Sequence, residues 1–242
     1  MPRIAIPIPT SFDIAYNDRS WPQYAKAVEE AGGTAVPVPL NLSPRELATI
    51  IAEVDGVLLP GSGADVDPAK YGQDKQEACN QQDSAREHVD TELLQSVART
   101  GKPLLGICFG MQSMNVFHGG TLVQDLLPLP VNHSAGRSVL AAHGVIVSAD
   151  SQLAALVAHE ATANDGFLRL TVNSSHHQAA AIAGDDLEVI ARCPEDGVIE
   201  AVQGRGADRF LLGVQWHPER TTALSQTSRA IFAKLVAESS SR

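Results

Sequence analysis

Short apolar runs alternate with amphipathic stretches through the first half of the chain. RIAIPI, TAVPVPL, GVLLP and PLLGI are typical of buried strands, since each is short, apolar and bounded by turn residues. WPQYAKAVEEAGG and a later stretch with Val89, Leu93, Leu94 and Val97 instead repeat apolar residues at helical spacing. Strands and helices that alternate in this way predict a mostly parallel sheet covered by helices on both faces.

The ends of these helices carry recognisable signals. Ser43, Pro44 and Glu46 form a capping box with a proline in the first turn, which predicts a helix from there to about residue 54. A glycine pair after the first helix and a single glycine at residue 101 are typical of helix C-termini. The helix that contains Val89 should therefore end near residue 101.

The second half of the chain has a different pattern. HGVIVS, LRLTVNS, LEVIARC, VIEAVQG and RFLLGVQW are short apolar runs separated by turn residues, which favours antiparallel pairing. A last helix is expected at about residues 222–237. No internal repeat or linker divides the sequence, so we expect one domain over residues 1–242. Its α/β fold should have a mostly parallel central sheet flanked by helices, with antiparallel strands added in the second half.

Composition and charge narrow the classes of partner. The 242 residues carry a formal net charge of -10 and no basic run, so neither nucleic acid nor an anionic membrane surface is an expected partner. The apolar start, MPRIAIPIPT, is too short and too rich in proline for a signal peptide, and no run approaches the length of a membrane span. Three widely spaced cysteines do not make a disulfide framework, which indicates a cytoplasmic protein.

The best candidate for a reactive group is Cys108. It follows the predicted strand PLLGI in the pattern G-x-C-x-G, formed with Gly106 and Gly110, which is typical of a turn that presents a nucleophile between a strand and a helix. Ligands of open α/β sheets bind at the carboxyl ends of strands, where this residue falls, and a helix N-terminus beside the sulfur would favour the thiolate. The alternative is a buried structural thiol, which is the expectation for Cys79 and Cys193 because they lack such a pattern.

Two other motifs could supply the partners that a thiol nucleophile needs. In GVQWHPER, His217 and Glu219 are two residues apart, so their side chains would leave the same face of an extended segment, and the carboxylate could orient the imidazole as a base. In LLPGSGADVDP, Gly61 and Gly63 could turn backbone N–H groups towards an oxyanion, together with the amide of Phe109. Alone, these motifs could be a turn with a surface histidine and a plain glycine turn. All three motifs follow predicted strands of one sheet, however, which favours a shared site.

These residues resemble the motifs of the class I glutamine amidotransferase family. GICFGMQ is similar to its nucleophile motif and GVQWHPE to its His and Glu motif. ADVDPAKYG, NVFHGGTLVQDL, VNSSHHQAA and PEDGVIEAV are similar, in the same order, to blocks of the γ-glutamyl-γ-aminobutyrate hydrolase group, also called peptidase C26-type hydrolases. The resemblance implies a flavodoxin-like α/β fold. It also implies a stand-alone enzyme that hydrolyses a γ-glutamyl amide through a thioester and releases glutamate.

The resemblance further implies the roles of individual residues. Cys108 would be the nucleophile, His217 the base and Glu219 its orienting partner. The residues expected to form the oxyanion site or to bind substrate are Gly61, Ser62, Gly63, Phe109, Gln112, His177 and Gln178. The expected partner is a small γ-glutamyl compound, and a homodimer is compatible with the family.

The chain departs from the usual pattern of this group in three places. Phe109 stands where Arg often follows the nucleophile, which leaves open how the far end of the substrate is recognised. The usual Arg-Asp-x-x-Glu is present as Arg86, Glu87 and Asp90, with the two acid lengths exchanged. Ser62 interrupts a common glycine pair. The amine part of the substrate therefore stays open.

No metal or organic cofactor is expected. Adjacent His176 and His177 in NSSHHQ would point to opposite faces of a strand, and no Cys, His or carboxylate cluster joins them in the sequence. His118, His133 and His143 stand apart from one another and are expected to be structural or exposed.

Three other functions fit parts of the pattern. A glutaminase subunit that delivers ammonia to a separate synthetase would keep the same triad, and a binding protein that has lost turnover would keep the same fold. The presence of Cys108, His217 and Glu219 together argues against the binding protein. An α/β-hydrolase with a cysteine nucleophile is disfavoured, because its acid usually precedes the histidine.

Overall fold

The computed structural model describes residues 1–126, 128–164, 166–206 and 209–240. The strands are β1 (Arg3–Pro7), β2 (Thr34–Val38), β3 (Gly56–Leu59), β4 (Leu104–Ile107), β5 (Thr121–Val123), β6 (His143–Ser148), β7 (Thr162–Asn164), β8 (Phe167–Val172), β9 (Ala179–Ile182), β10 (Leu187–Arg192), β11 (Ile199–Gly204) and β12 (Leu211–Val214). The α-helices are α1 (Ile14–Glu30), α2 (Pro44–Glu53), α3 (Ser84–Thr100), α4 (Phe109–Phe117), α5 (Ala154–Val157) and α6 (Gln226–Ser240).

One large sheet in the described part of the chain has the strand order β2-β1-β3-β4-β12-β11-β10-β6-β8-β7. From β2 to β12 neighbouring strands are parallel. Beyond β12 each neighbour is antiparallel, while β5 and β9 pair separately. The predicted α/β fold with added antiparallel strands is therefore confirmed. The run RFLLGVQW contains β12, which joins the parallel part to the antiparallel part.

Alternate residues of the central strands pack into two cores, one on each face of the sheet. On one face, Leu58, Leu105 and Leu212 pack in a cluster with residues of α1, α5 and α6. On the other face, Leu59 and Leu104 pack in a cluster with residues of α2, α3 and α4. Because successive side chains of a strand point to opposite faces, strands buried on both sides are apolar at every position. This explains the uninterrupted apolar runs of the sequence.

The predicted capping box is confirmed. The Ser43 N–H donates to Glu46 Oε2 at 2.9 Å, and the Glu46 N–H donates to Ser43 Oγ at 3.4 Å. The helix that follows, α2, ends at Glu53, close to the predicted end. α3 ends at Thr100, followed by Gly101 with φ 72°, a conformation that glycine adopts without strain.

The predicted start of the first helix near residue 21 is wrong. α1 begins at Ile14, where the side chain of Asp13 accepts a hydrogen bond from the Tyr16 N–H at 2.8 Å, and it runs through Pro22. Most residues of its first turns are exposed, so no apolar repeat marks them in the sequence. The last helix, α6, begins and ends a few residues later than the predicted range 222–237.

The strands that precede the three candidate motifs are neighbours. β3, β4 and β12 lie side by side, with Leu59 opposite Gly106 and Ile107 opposite Val214. Because the three strands are parallel, the segments that follow them leave the sheet at the same edge. This is the edge at which open α/β sheets bind ligands. No helix in the described ranges has the length and apolar character needed to cross a lipid bilayer.

Candidate active site

Cys108 lies in the turn between β4 and α4. Its backbone has φ 52° and ψ -109°, and among the described residues it is the one non-glycine with a positive φ. A conformation of this kind costs about 1–3 kcal/mol and persists only where the surroundings impose it. The Cys108 N–H donates to the carbonyl oxygen of Val214 on β12 at 2.8 Å. The pairing of β4 with β12 thus extends into the turn and holds it.

The two glycines of the G-x-C-x-G pattern are required by close backbone approaches. A Cβ at Gly106 would lie 2.8 Å from the Gly110 carbonyl oxygen. A Cβ at Gly110 would overlap the carbonyl oxygen of Leu59 on β3 and would lie 2.6 Å from the Leu59 carbonyl carbon. The pattern is therefore explained by the packing of the turn against itself and against the neighbouring strand.

The sulfur of Cys108 lies in a desolvated environment. The residue is 6% exposed, and burial raises the pKa of its thiol to about 12. The positive charge of Arg220 and a hydrogen bond from the Phe109 N–H act in the opposite direction, while the charge of Glu219 adds to the rise. The helix N-terminus thus favours the thiolate, as the sequence predicts, but burial outweighs it. The resting residue is a neutral thiol.

His217 lies three residues after the end of β12 and is fixed at both its backbone and its ring. The Asn173 side chain accepts from the His217 N–H at 2.9 Å and donates to the His217 carbonyl oxygen at 2.8 Å. Ring atom Nδ1 lies 2.7 Å from Glu219 Oε1, and both side chains are 2% exposed. A carboxylate at Nδ1 selects the tautomer that leaves Nε2 as the free acceptor.

The contact between His217 and Glu219 arises from a turn. We expected an extended segment, but residues Pro218–Arg220 form one turn of 3-10 helix that begins directly after His217. Burial lowers the pKa of the His217 imidazole, although the Glu219 carboxylate opposes this. Burial also opposes ionisation of Glu219, but the His217 ring and the Arg220 charge together hold the pKa of this carboxyl below its usual value. At neutral pH the pair is a neutral imidazole beside a carboxylate.

Cys108 and His217 approach each other across Gly61. A Cβ built on Gly61 would lie 2.9 Å from His217 Cε1 and 3.6 Å from Cys108 Cβ. The same point is 3.1 Å from the hydroxyl oxygen of Tyr24 on α1. The thiol and the imidazole therefore border one small space, even though the two residues are 109 positions apart in the sequence. A glycine is needed here because any side chain would occupy that space.

The glycine loop after β3 offers backbone donors on one side of this space. The Gly61 N–H already donates to the Tyr24 hydroxyl oxygen at 3.0 Å, so this amide is committed to the protein itself. The Ser62 hydroxyl accepts from the Ala64 N–H at 3.0 Å, which tightens the loop. The amides of Ser62 and Gly63 are left as candidate donors to an oxyanion, together with that of Phe109, which faces the Cys108 sulfur.

Arg86 on α3 connects this loop to the turn that carries Cys108. Its side chain is fully buried and donates to the carbonyl oxygens of Pro9 at 2.8 Å and Pro60 at 2.6 Å. Its Nε donates to Asp90 Oδ1 at 2.7 Å, and its guanidinium carbon lies 4.9 Å from the centre of the Phe109 ring. Phe109 is 1% exposed, so its side chain supports the turn from behind.

A pocket opens beside the sulfur of Cys108. Six of the predicted substrate-binding residues line it: Ser62, Gly63, Phe109, Gln112, His177 and Gln178. The Gln112 side chain donates to the Gln178 carbonyl oxygen at 3.0 Å, which fixes its orientation. The Gln178 side chain donates to the Gln124 carbonyl oxygen at 2.8 Å, so it holds the pocket wall in place.

His177 lies between two carboxylates at one end of the pocket. Its Nε2 is 3.1 Å from Asp65 Oδ1, and its Nδ1 is 3.3 Å from Asp125 Oδ1. Hydrogen bonding to Asp65 raises the pKa of the His177 imidazole, in spite of its partial burial. Asp65 is 4% exposed and also accepts from the Asn80 N–H at 2.6 Å. This end of the pocket therefore places carboxyl groups beside an imidazole whose pKa is raised.

Comparison with known proteins identifies the family. The profile of the Peptidase C26 family matches residues 10–219. The chain belongs to this family. Relatives of the C26 chain include protein NtpR of Enterococcus hirae, which is 31% identical over 89% of this chain and 87% of its own length. The γ-glutamyl-γ-aminobutyrate hydrolase PuuD of Escherichia coli K12 is 31% identical over 87% of this chain and 82% of its own length.

Other relatives differ in name or in length. Rv2859c of Mycobacterium tuberculosis, provisionally named a glutamine amidotransferase, is 35% identical over 82% of this chain but only 61% of its own length. A crystal structure from Thermoplasma acidophilum, provisionally described as part of a GMP synthase, shares the fold with a TM-score of 0.63 at 16% identity. It covers all of this chain and 95% of its own. Family membership supports an amide hydrolase and leaves the substrate open.

Several residues around the site are not among those that the sequence predicts. Asn173 stands at the start of the block NSSHHQ, but nothing in the sequence indicates that it holds the backbone of a residue 44 positions away. Tyr24 lies in α1 and carries no motif. Arg220 follows the HPE motif directly, and its guanidinium Nε is 3.4 Å from Glu219 Oε1. Asn173 and Arg220 each lie in or beside a motif, which is a signal in the sequence, whereas Tyr24 has none.

The histidines of the C26 chain also require a correction. The sequence predicts that no Cys, His or carboxylate cluster joins His176 and His177, and that His133 and His143 are structural or exposed. In the structure these three buried histidines surround the buried carboxylate of Glu200. The expectation that no cluster joins His176 is therefore wrong, because the fold brings together strands and connecting segments that are far apart in the sequence.

Proposed function

We propose that this C26 protein hydrolyses the γ-glutamyl amide bond of a small compound, such as γ-glutamyl-γ-aminobutyrate, with Cys108 as the nucleophile. One observation carries the proposal. A thiol in a conformation imposed by its turn borders the same small space as an imidazole that is oriented by a carboxylate at 2.7 Å. The names of relatives such as PuuD support a γ-glutamyl amide as the substrate.

In the first half of the reaction, His217 Nε2 takes the proton of the Cys108 thiol while the sulfur attacks the γ-carbonyl carbon. Because burial keeps the thiol neutral at rest, proton transfer and attack belong to one step, as in general base catalysis. The negative charge on the carbonyl oxygen is held by amides of Phe109 and of the Ser62–Gly63 turn. The imidazolium then protonates the leaving nitrogen, and the carbon–nitrogen bond breaks to give a thioester.

In the second half, water replaces the released amine. His217 takes a proton from the water as its oxygen attacks the thioester carbon. When the carbon–sulfur bond breaks, the imidazolium returns the proton to the sulfur and glutamate leaves. Glu219 stays ionised throughout and stabilises the imidazolium.

The charged end of the pocket fits the head group of such a substrate. A γ-glutamyl compound carries an α-ammonium and an α-carboxylate on one carbon. The Asp65 carboxylate suits the ammonium, and the His177 imidazole, whose pKa is raised, suits the carboxylate. Both line the pocket beside Cys108. The amine part of the substrate would extend out of the pocket.

The test is a panel of γ-glutamyl amides, including glutamine and γ-glutamyl-γ-aminobutyrate, with detection of free glutamate. Cys108→Ala removes the nucleophile and should lower kcat more than about 10⁴-fold. Cys193→Ala removes another buried free thiol, away from the pocket, and serves as the matched control with activity close to wild type.

Two outcomes would count against the proposal. Hydrolysis by Cys108→Ala at the wild-type rate would exclude Cys108 as the nucleophile. Release of glutamate from glutamine alone, and only in the presence of a second protein, would favour a glutaminase subunit instead. The Mycobacterium tuberculosis relative is provisionally named a glutamine amidotransferase, so glutamine must be part of the panel.

A further inference from the structure

Three histidines and a glutamate converge in the interior, next to the wall of the pocket. His143 begins β6, Glu200 lies on β11, and His133 and His176 lie in segments outside the strands. Their side chains are at most 3% exposed. One ligand-type atom from each lies within 4.8 Å of all the others.

The outward nitrogen of each imidazole is bound to an oxygen acceptor. His143 Nδ1 lies 3.1 Å from the Gly144 carbonyl oxygen, and His176 Nδ1 lies 2.9 Å from the Gln178 carbonyl oxygen. His133 Nε2 lies 2.9 Å from a carboxylate oxygen of Asp196. Carbonyl and carboxylate oxygens only accept, so each of these nitrogens carries the hydrogen. In a neutral imidazole, the opposite nitrogen then presents a lone pair.

These lone pairs point at a carboxylate. His133 Nδ1, His143 Nε2 and His176 Nε2 lie 3.2, 3.6 and 3.7 Å from Glu200 Oε1. None of these three nitrogens, and neither oxygen of Glu200, has a hydrogen-bond partner among the described residues. Buried acceptors that face one another without a donor are costly. A cation at their centre would remove that cost.

We propose that His133, His143, His176 and Glu200 bind one Zn²⁺ ion as a closed four-ligand site. Zn²⁺ prefers imidazole nitrogen and carboxylate oxygen in tetrahedral geometry with bonds of about 2.0–2.2 Å, and such a tetrahedron has edges of about 3.3–3.6 Å. The distances from Glu200 Oε1 to the three nitrogens match these edges closely. Mg²⁺ and Ca²⁺ prefer sites made of oxygen ligands.

The surroundings of the cluster have the form found around zinc ligands. Histidines that bind zinc usually donate their other N–H to a carboxylate or a backbone carbonyl, which fixes the ring. All three histidines of this cluster do so. Four protein ligands leave no open position, so the site holds structure and does not activate water. It would tie the segment that contains His176, which forms part of the pocket wall, to β6 and β11.

The alternative without metal is a cluster held by protons, in which one or two imidazoles are charged and pair with Glu200. A second, overlapping group of ligand-type residues is His133, Cys193 and Asp196. An ion bound by this second group would have the Cys193 thiolate as one of its ligands. Both alternatives are distinguished by measuring metal directly, and the result does not depend on the proposed hydrolase activity.

The first experiment measures metal in the full chain, purified without a histidine tag from cells supplied with zinc. Mass spectrometry of the elements should find about one zinc per chain. His143→Gln and Glu200→Gln each remove one ligand and should lower the zinc content at least about tenfold. His88→Gln, at an exposed histidine, and Cys193→Ala are the controls and should keep zinc.

Three results of this experiment would overturn the proposal. The first is wild-type protein that neither contains zinc nor takes it up when zinc is added. The second is equal zinc in every variant, which would indicate adventitious surface binding. The third is loss of zinc in Cys193→Ala with retention in His143→Gln, which would place the ion at the other group.

A second experiment uses only wild-type protein, in case the ligand variants fail to fold. Removal of metal with a chelator should lower Tm by on the order of 10 °C, and added zinc should restore it. Refilling with Co²⁺ should give the visible bands of tetrahedral cobalt without a thiolate charge-transfer band. An unchanged Tm with no cobalt bands would refute the site, and a thiolate band would refute this ligand set.

Discussion

At the scale of single residues, burial has opposite effects on the pKa values of the two candidate reacting groups. It raises the pKa of the Cys108 thiol to about 12 and lowers the pKa of the His217 imidazole. Both effects favour neutral forms, so the resting site holds a thiol beside an imidazole and not an ion pair. In the proposed mechanism, proton transfer to the His217 imidazole would then accompany attack by the Cys108 sulfur, so loss of the base should be as damaging as loss of the nucleophile.

The pH dependence of the reaction should reflect this. His217 acts as a base only when neutral, and a lowered pKa means that it takes up a proton below its ordinary value of 6.5. We therefore expect kcat/KM to stay level from neutral pH to below 6.5 and to fall only at lower pH. The measurement is a pH profile of kcat/KM at constant ionic strength. An acid limb with its midpoint above 6.5 would contradict this expectation.

Glu219 should act through the imidazole that it orients. Glu219→Gln keeps the size of the side chain but can donate to Nδ1, which would stabilise the wrong tautomer of His217. We expect kcat to fall by about 10²–10⁴-fold with little change in KM. Steady-state kinetics with a circular dichroism check of folding measure this, and Glu238→Gln on the surface is the control. A loss of less than tenfold would show that the carboxylate does not orient the base.

At the scale of the elements, the turn after β4 is pressed against β3 so closely that a methyl group does not fit. Gly110→Ala would place its Cβ against the Leu59 backbone, so either the turn or the strand must move. We expect a loss of about 1–3 kcal/mol in unfolding free energy, together with reduced kcat. Denaturant unfolding and kinetics measure the two effects.

The matched control for this change is Gly144→Ala. The nearest heavy atom to a Cβ at Gly144 is 4.0 Å away, so there is room for the methyl group. Its unfolding free energy should stay close to that of wild type. If Gly110→Ala were equally harmless, the close approach of the turn to β3 would not be a constraint on folding.

The sequence predicts elements well where local chemistry decides them. The capping box at Ser43 and the apolar central strands are examples, because both depend on residues that are neighbours in the chain or alternate along it. The start of α1 was missed because an exposed first turn has no apolar repeat. The turn after His217 was expected to be extended, since three residues of 3-10 helix leave no periodicity to detect.

At the scale of the whole molecule, the site depends on contacts that no local pattern reveals. A parallel sheet, which the sequence predicts, implies that the segments after its strands leave at the same edge. The sequence does not predict that β12 is the neighbour of β4 in that sheet. The cluster around Glu200 joins β6, β11 and two connecting segments, so its members are scattered over some 70 positions. A single sequence does not contain the pairing that brings them together.

Arg86 links distant parts of the molecule through one buried charge. Its contacts reach the segment after β1, the loop after β3 and the ring that follows Cys108. Arg86→Met would leave Asp90 buried without its partner, which should cost about 3–5 kcal/mol of unfolding free energy. Denaturant unfolding measures this loss.

The double variant Arg86→Met, Asp90→Leu separates stability from positioning. Removing both charges should recover part of the unfolding free energy, whereas kcat should remain low because the Pro60 carbonyl and the Phe109 ring have lost their anchor. KM should change less than kcat. If kcat recovered together with stability, Arg86 would have no part in positioning the loop and the turn.

The position of β12 also means that the two candidate reacting groups, Cys108 and His217, come from opposite halves of the polypeptide, on either side of the exposed stretch at residues 138–141. A nick in that stretch would leave the sulfur on one fragment and the imidazole on the other. On the proposed mechanism, neither fragment alone should hydrolyse a γ-glutamyl amide. If the proposed hydrolase activity is correct, glutamate release by the mixed fragments would report on the pairing of β4, the edge strand of one fragment, with β12, the edge strand of the other.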